Sequence, residues 1–378
     1  MTGVTKRGWA AVFVAVASVA ASLVPAESDG LPLYASREGR TCVACHFDPN
    51  GGGIRNDFGF FYGKNRHSMG IEEKWSKVTV DPQLNEWIRL GLDMRFMYYA
   101  WNREGEALFT RVSTFFPMQG QVNLAVTPFE DITVVATHGI VTQEDGFFGN
   151  PYIAREIYAL FPRLPWNGFA QVGRFRLPFG LRQDDHTSFL RTPEFLYFDS
   201  QIPDAGIEIG SIGKHFFGQF SLTNGAPAFT EQARVYTGKI GCATRAFQMA
   251  VSGLHRASDS GNDARIERWS GYVSATRGPF TIIGEYGGGT TKTPFGVLNL
   301  EAAFGEVNYR VSRGVNVRGK ADWLDGDKRL PNTERRRYLL ECDVNPMPFT
   351  NIKASYRYYD ESVGLNWSEY FAMLFVPF

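Results

Sequence analysis

Val315-Asn316-Val317-Arg318-Gly319-Lys320-Ala321-Asp322-Trp323 decides the fold. Odd positions are apolar or small and even positions are polar. A period of two belongs to a β-strand with unlike faces. Working outward, the same alternation recurs. Tyr338, Leu340, Cys342 and Val344 alternate with Leu339, Glu341, Asp343 and Asn345. Ile352, Ala354, Tyr356 and Tyr358 share one face, and Tyr370, Ala372, Leu374, Val376 and the terminal Phe378 share another.

Such a pattern also suits a soluble sandwich. Three features favour a membrane barrel. The segments run to roughly ten residues, the length a tilted span requires. They continue to the last residue without a helical interruption. Aromatics gather near segment ends, as at Trp269, Trp323 and Tyr356 to Tyr359. The chain holds 31 Phe, 16 Tyr, 8 Trp and 40 Gly, which suits aromatic girdles and glycine-rich turns. The expected fold is mainly β: a transmembrane antiparallel barrel of about 16 strands. The strand centres fall at Leu92, Val122, Val135, Ile157, Val172, Ile209, Phe220, Ile240, Val251, Val273, Ile282, Val307, Val317, Leu340, Ala354 and Met373.

Only one apolar run is long enough to suggest a membrane-crossing helix, and it lies at the N-terminus. Lys6 and Arg7 precede an apolar stretch from Trp9 to Val24, followed by Val24-Pro25-Ala26. This is the form of a cleaved export signal, residues 1–26, and the mature chain then begins at Glu27. Formal net charge is zero over 378 residues. A nucleic-acid partner would call for a basic face, so none is expected.

Between the signal and the first strand, residues 27–86 carry the chemistry, and residues 87–378 form the barrel. Cys42-Val43-Ala44-Cys45-His46 is a C-x-x-C-H sequence, the signature of c-type haem attachment. Two thiols bond the haem vinyls and the adjacent histidine ligates the iron. A thioredoxin-like motif would need a βαβ context, and none follows. A zinc site would need a second ligand pair, for which His67 is the only nearby candidate. The expected cofactor is one covalent haem c. His67 is the preferred sixth ligand, with Met69 the alternative, and Met would raise the potential. Phe58, Phe60, Phe61 and Tyr62 are candidates to cover the haem faces.

Elsewhere, Arg174, Arg176, Arg182, Asp184, Asp185, His186 and Arg191 fall within 18 residues. Charge on a barrel points into the lumen, because the lipid side penalises it. The bland reading is a solvated lumen wall; the sharper ones are a constriction, an anion site or a dock for the haem segment. Cys242 and Cys342 fall on apolar faces of strands eight and fourteen. Those strands are not neighbours, so no disulfide is expected. His138, His215 and His255 are isolated and receive no role.

The order of these features resembles the fused monohaem cytochrome–porins, including the outer-membrane iron oxidases of iron-oxidising bacteria. Leu33-Tyr34-Ala35, the C-x-x-C-H motif and Asn56-Asp57-Phe58-Gly59 are similar to that family's haem segment. Arg176-Leu177-Pro178-Phe179-Gly180-Leu181-Arg182 resembles a motif of phosphate-selective porins. The resemblance implies electron transfer in the bacterial outer membrane. The haem segment would lie on the periplasmic side or in the lumen, and the partners would be a periplasmic electron carrier, an extracellular redox substrate such as ferrous iron, and membrane lipid. It leaves the direction of flow open. Two other functions stay in view: a solute or anion porin with haem as a plug, and a haem enzyme with an open sixth position.

Overall fold

The computed structural model describes residues 32–69, 81–103, 111–139, 156–185, 187–196, 203–225, 233–258, 264–362, 364 and 366–378. The expected export signal, residues 1–26, and His186 lie outside them. Sixteen strands follow one another around a closed barrel. They are β1 Ile88–Arg103, β2 Arg111–Phe129, β3 Ile132–Gly139, β4 Glu156–Leu164, β5 Gly168–Phe175, β6 Asp204–Ile212, β7 Phe216–Thr223 and β8 Ala233–Ala243. The second half is β9 Phe247–Ser258, β10 Arg265–Arg277, β11 Phe280–Thr293, β12 Gly296–Ser312, β13 Val315–Asp325, β14 Glu334–Val344, β15 Asn351–Glu361 and β16 Trp367–Pro377. Each of the sixteen expected centres lies in its own strand.

Every strand pairs antiparallel with the next, and β16 returns to β1. The chain end completes that seam. Phe378 donates its N–H to the Leu92 carbonyl and accepts from the Leu92 N–H, at 2.9 and 2.8 Å. No open edge remains, which a bilayer demands because exposed strand edges have no water to bond. One register shift lies at Arg95/Phe96, where Phe96 faces Pro117 of β2. Proline lacks the N–H that the ladder needs there.

The alternation is inverted relative to a soluble sheet. Ile240, Val251, Leu340 and Ile352 stand 65 %, 60 %, 58 % and 45 % exposed on the outer wall. Their strand neighbours Lys239, Ser252, Leu339, Glu341 and Lys353 point inward, and most of these are polar. A lumenal Lys or Arg turned outward at mid-depth would cost about 2–4 kcal/mol in lipid, so the register is strongly fixed. Aromatics ring both ends of the outer wall. Phe129, Phe216, Phe280 and Tyr309 stand at one end, and Phe115, Trp269, Tyr338 and Tyr370 at the other. Cys242 and Cys342 are free thiols in β8 and β14, on the strand faces shared with Ile240 and Leu340.

The two ends differ. At one end the strands join by short turns, such as Gly278-Pro279 and Arg313-Gly314, where Gly278 and Gly314 take positive φ values of 58° and 74°. Both chain-terminal strand ends lie here too. The other end carries most of the longer connections, although Pro294-Phe295 between β11 and β12 is a two-residue turn. The described part of the longest connection, residues 176–185 and 187–196, folds into the lumen. There Phe179, Leu181, Phe189, Leu190, Phe195 and Leu196 share an apolar core with wall residues including Phe217, Leu254, Ile266, Leu300 and Leu324. Leu33 and Tyr34 of the N-terminal segment join the same core.

Candidate functional site

The N-terminal segment is built from three short pieces. Pro32–Glu38 is a helix, Cys42–Ala44 a single 3-10 turn, and Asp57–Asn65 a second helix. Asn56 caps that second helix: its side chain accepts from the Gly59 N–H at 3.0 Å and donates to the Val43 carbonyl at 3.0 Å. One residue thus starts the helix and ties it to the cysteine turn. The contact is tight. A Cβ on Gly59 would lie 2.1 Å from the Cys45 carbonyl oxygen. Gly51, Gly52 and Gly53 carry the chain around the turn with φ of 86°, 77° and 61°, a path that favours glycine. A Cβ on Gly51 would lie 2.8 Å from Cys42 Cβ.

The described part of the segment, residues 32–69, is seated in the short-turn mouth of the barrel. Asn50 donates to Glu208 of β6 at 3.1 Å and accepts from Gln219 of β7 and Lys239 of β8, both at 3.1 Å. Arg37 donates to Thr281 of β11 and Asn316 of β13 at 3.1 and 3.0 Å. Ser36 bonds Thr276 of β10 at 3.2 Å. Asp57 ion-pairs with Arg89 of β1. Phe60 stacks on Phe349 of the β14–β15 turn with centroids 5.0 Å apart. The segment therefore reaches most of the way round the wall.

Within it, Cys42 and Cys45 are both free and half-buried. Burial pushes the Cys45 thiol up to about 11, against the nearby Arg55, and raises Cys42, against Lys239 and Arg182. Both sulfurs are thus neutral thiols. His46 and His67 each keep one buried ring nitrogen without a hydrogen-bond partner, Nδ1 and Nε2 respectively. Burial lowers each to about 3, with Arg55 adding to the effect at both. Both imidazoles are neutral at ordinary pH, the form that ligates iron. Arg55 is the charge whose field Cys45, His46 and His67 have in common. Tyr34 packs edge-on against His67 with centroids 4.6 Å apart, and Tyr62 is buried beside it at 6.4 Å. Phe58 lies 6.2 Å from Tyr62 and Phe61 is 51 % exposed.

Met69 lies apart. Its N–H bonds the Asn345 carbonyl of the β14–β15 turn at 2.8 Å, and its side chain is 48 % exposed. Among the described residues, no three His, Cys, Asp or Glu side chains converge as a metal-binding group, so Cys42, Cys45 and His67 do not assemble a zinc site. The residues do fit a c-type haem: two free thiols on one turn, two neutral imidazoles with unpartnered nitrogens, and a glycine path against the thiols.

The arginine-rich stretch supplies the wall of this site and its latch. Arg182 reaches Asp48 at 3.1 Å, and Arg176 pairs with Glu156 of β4 at 2.7 Å. Asp185 is held by Arg337 of β14 at 2.6 Å and Lys320 of β13 at 3.0 Å. Asp184 is held by Arg95 and Lys353 at 2.6 and 2.7 Å. Arg191 pairs with Glu285 of β11 at 2.5 Å and donates to the Leu181 carbonyl. Arg174 donates to the Pro203 carbonyl at 3.2 Å. The lumenal carboxylates that receive these cations were not singled out in the sequence. Their inward parity in β4, β11 and β13 was the available signal.

No family model and no curated protein matches the chain. Solved structures do. An anion-selective porin from Comamonas acidovorans aligns with a TM-score of 0.61 and 11 % identity, over 77 % of this chain and 99 % of that one. OmpT, an outer membrane protein of Vibrio cholerae, gives 0.58 and 10 %, over 79 % and 100 %. The outer membrane channel DcaP of Acinetobacter baumannii gives 0.57 and 11 %, over 77 % and 97 %. At such identities the likeness is one of fold: a porin-type closed barrel.

Proposed function

We propose that this chain is an outer-membrane electron-transfer protein whose barrel holds one covalently attached c-type haem in its short-turn mouth. The observation that carries the reading is the placement of Cys42-Val43-Ala44-Cys45-His46 inside the lumen mouth, with free thiols and neutral imidazoles. Cys42 and Cys45 would anchor the haem, His46 would be the proximal ligand and His67 the distal one. When bound, the haem supplies reversible one-electron chemistry. The protein's own residues fix its setting. The Gly59 contact and the Asn56 cap hold the turn, and burial, with Arg55 adding to it, keeps both imidazoles unprotonated. Short turns face the periplasm in bacterial barrels. A periplasmic carrier would then meet the haem end, and an extracellular donor or acceptor, ferrous iron among them, the long-loop end.

A second reading is a solute or anion porin in which the segment is a plug. The solved structures favour it, because they are porin-type channels and speak to the barrel alone. One measurement separates the readings: reduced and oxidised absorption spectra of protein purified from outer membranes, followed through a redox titration. A covalent low-spin haem that titrates reversibly is expected. Absence of covalent haem, with channel conductance in planar bilayers, would establish the porin. A high-spin spectrum that shifts on adding small ligands would instead indicate an open sixth position.

A further inference from the structure

The charge on the short-turn face is lopsided. Four successive short turns, those after β6, β8, β10 and β12, carry Lys214, Arg245, Arg277, Arg310 and Arg313 in or beside them, and no Asp or Glu. All but the half-buried Arg310 are exposed. The exposed acidic residues described at this end, Glu130, Asp131, Asp81, Glu86 and Asp57, which pairs with Arg89, lie on the other side, near β1 to β3. Since the chain as a whole is neutral, this is a separation of charge rather than a general basicity.

The seated segment extends the basic arc toward the axis. Arg40 and Arg66 are exposed, and the contacts place both against the arc. A Cβ on Gly39 would lie 2.4 Å from Arg245 Cα, and Arg313 donates to the carbonyls of Asn65 and Ser68 at 2.6 and 2.9 Å. The nearest opposing charge is Glu38, 3.8 Å from Arg66 and mostly covered. Between segment and arc opens a cavity of about 320 Å³, lined by Arg66, Arg310, Arg313 and His67 among others, and by no carboxylate. A positive face with low-dielectric walls concentrates anions and steers association.

We propose that this face docks a soluble protein with an acidic surface, and, resting on the electron-transfer reading above, that this partner is the periplasmic electron carrier. Anionic lipid is the rival occupant of basic residues near a bilayer. The cavity argues against it. Arg66 belongs to the segment inside the mouth, and the opening lies beside His67, whereas lipid headgroups meet the outer rim. An acidic side chain entering there stands next to the residue assigned as the distal haem ligand, which is where a carrier would need to be.

The test uses the full chain in zwitterionic nanodiscs and a fluorescent 20-residue polyglutamate probe, read by anisotropy. Wild type is expected to bind with an affinity that falls as salt rises. The triple variant Arg66→Glu, Arg310→Glu, Arg313→Glu should bind about 10-fold more weakly or worse. Arg66→Gln, which leaves both strands untouched, should weaken binding about 3-fold. Reversal of Lys328 and Arg329 at the long-loop end should change nothing. Equal binding by wild type and the mouth variants would overturn the proposal. So would loss of wild-type binding when phosphatidylglycerol is added to the nanodisc, which would give the arc to lipid. The probe carries no redox group, so a chain without haem that still binds it would sink the electron-transfer reading and leave the docking face standing.

Discussion

His67 and Met69 stand two positions apart, and the fold gives them different surroundings. His67 shares Arg55 with Cys45 and His46, while Met69 is tied to the β14–β15 turn and half-exposed. On the haem-binding reading, Met69→Leu should therefore leave the midpoint potential unchanged. His67→Met should raise it, since Met ligation favours the reduced iron. Redox titration of the two variants checks both, and a shift in Met69→Leu alone would reverse the assignment. At this scale the sequence is unevenly legible. C-x-x-C-H raises a haem-attachment expectation from the sequence alone because the motif is defined by local spacing. The grip of Asn50 on Glu208 is not, because it joins positions 158 residues apart and leaves no local pattern.

The 176–203 connection shows what a charged element can do inside a barrel. Its charges were visible in the sequence, but their partners on β4, β11, β13 and β14 were not. Asp185 is where they converge, touching Arg337 and Lys320, both with fully buried side chains. Asp185→Asn would leave those two cations with Asp322 alone. Breaking a buried pair in this way costs about 3–5 kcal/mol. The expected outcome is a lower thermal midpoint and a raised single-channel conductance as the loop leaves the lumen.

Acid should have little effect over the ordinary range. Burial by itself raises Asp184 and Asp185. Arg95 and Lys353 at Asp184, and Arg337, Lys320 and Arg357 at Asp185, outweigh it and hold both well below the usual carboxylate range. The unfolded loop takes up protons near pH 4 that the folded loop refuses. The latch is thus at full strength above about pH 5 and weakens progressively as the pH falls below that, through the interval between the unfolded-state and folded-state values. Conductance should stay flat from pH 8 to about pH 5, and a rise within that window would show that another group controls the loop.

For the molecule as a whole, the barrel was legible because every strand repeats one physical demand, apolar outward against lipid and polar inward. Leu340, Ile352 and Leu374 announce that demand without help from distant residues. The lumen contents were harder to read, since the plug and the 176–203 loop have no fixed period. The sixteen strands close through β1 and β16 without a strand from the N-terminal segment. Removing residues 32–69 should therefore leave a barrel that still shows heat-dependent mobility on gels, with a larger conductance than the intact chain. Collapse of the barrel would mean that the apolar core shared by Leu33, Tyr34 and the wall is needed for closure.

Cys42 lies half-buried among Lys239 of the wall, Arg182 of the inserted loop and Asp48, in the mouth of a finished cylinder. Nothing the size of a ligating enzyme reaches that sulfur once the cylinder is shut. On the haem-binding reading, maturation of this chain would have a fixed chronology. The bonds to the two sulfurs would be made while the polypeptide is still open in transit, before the strands wrap around the segment. A cell that fails at the first step would send empty chains to the second, and the ratio of filled to empty barrels in its envelope would record how well the two were timed.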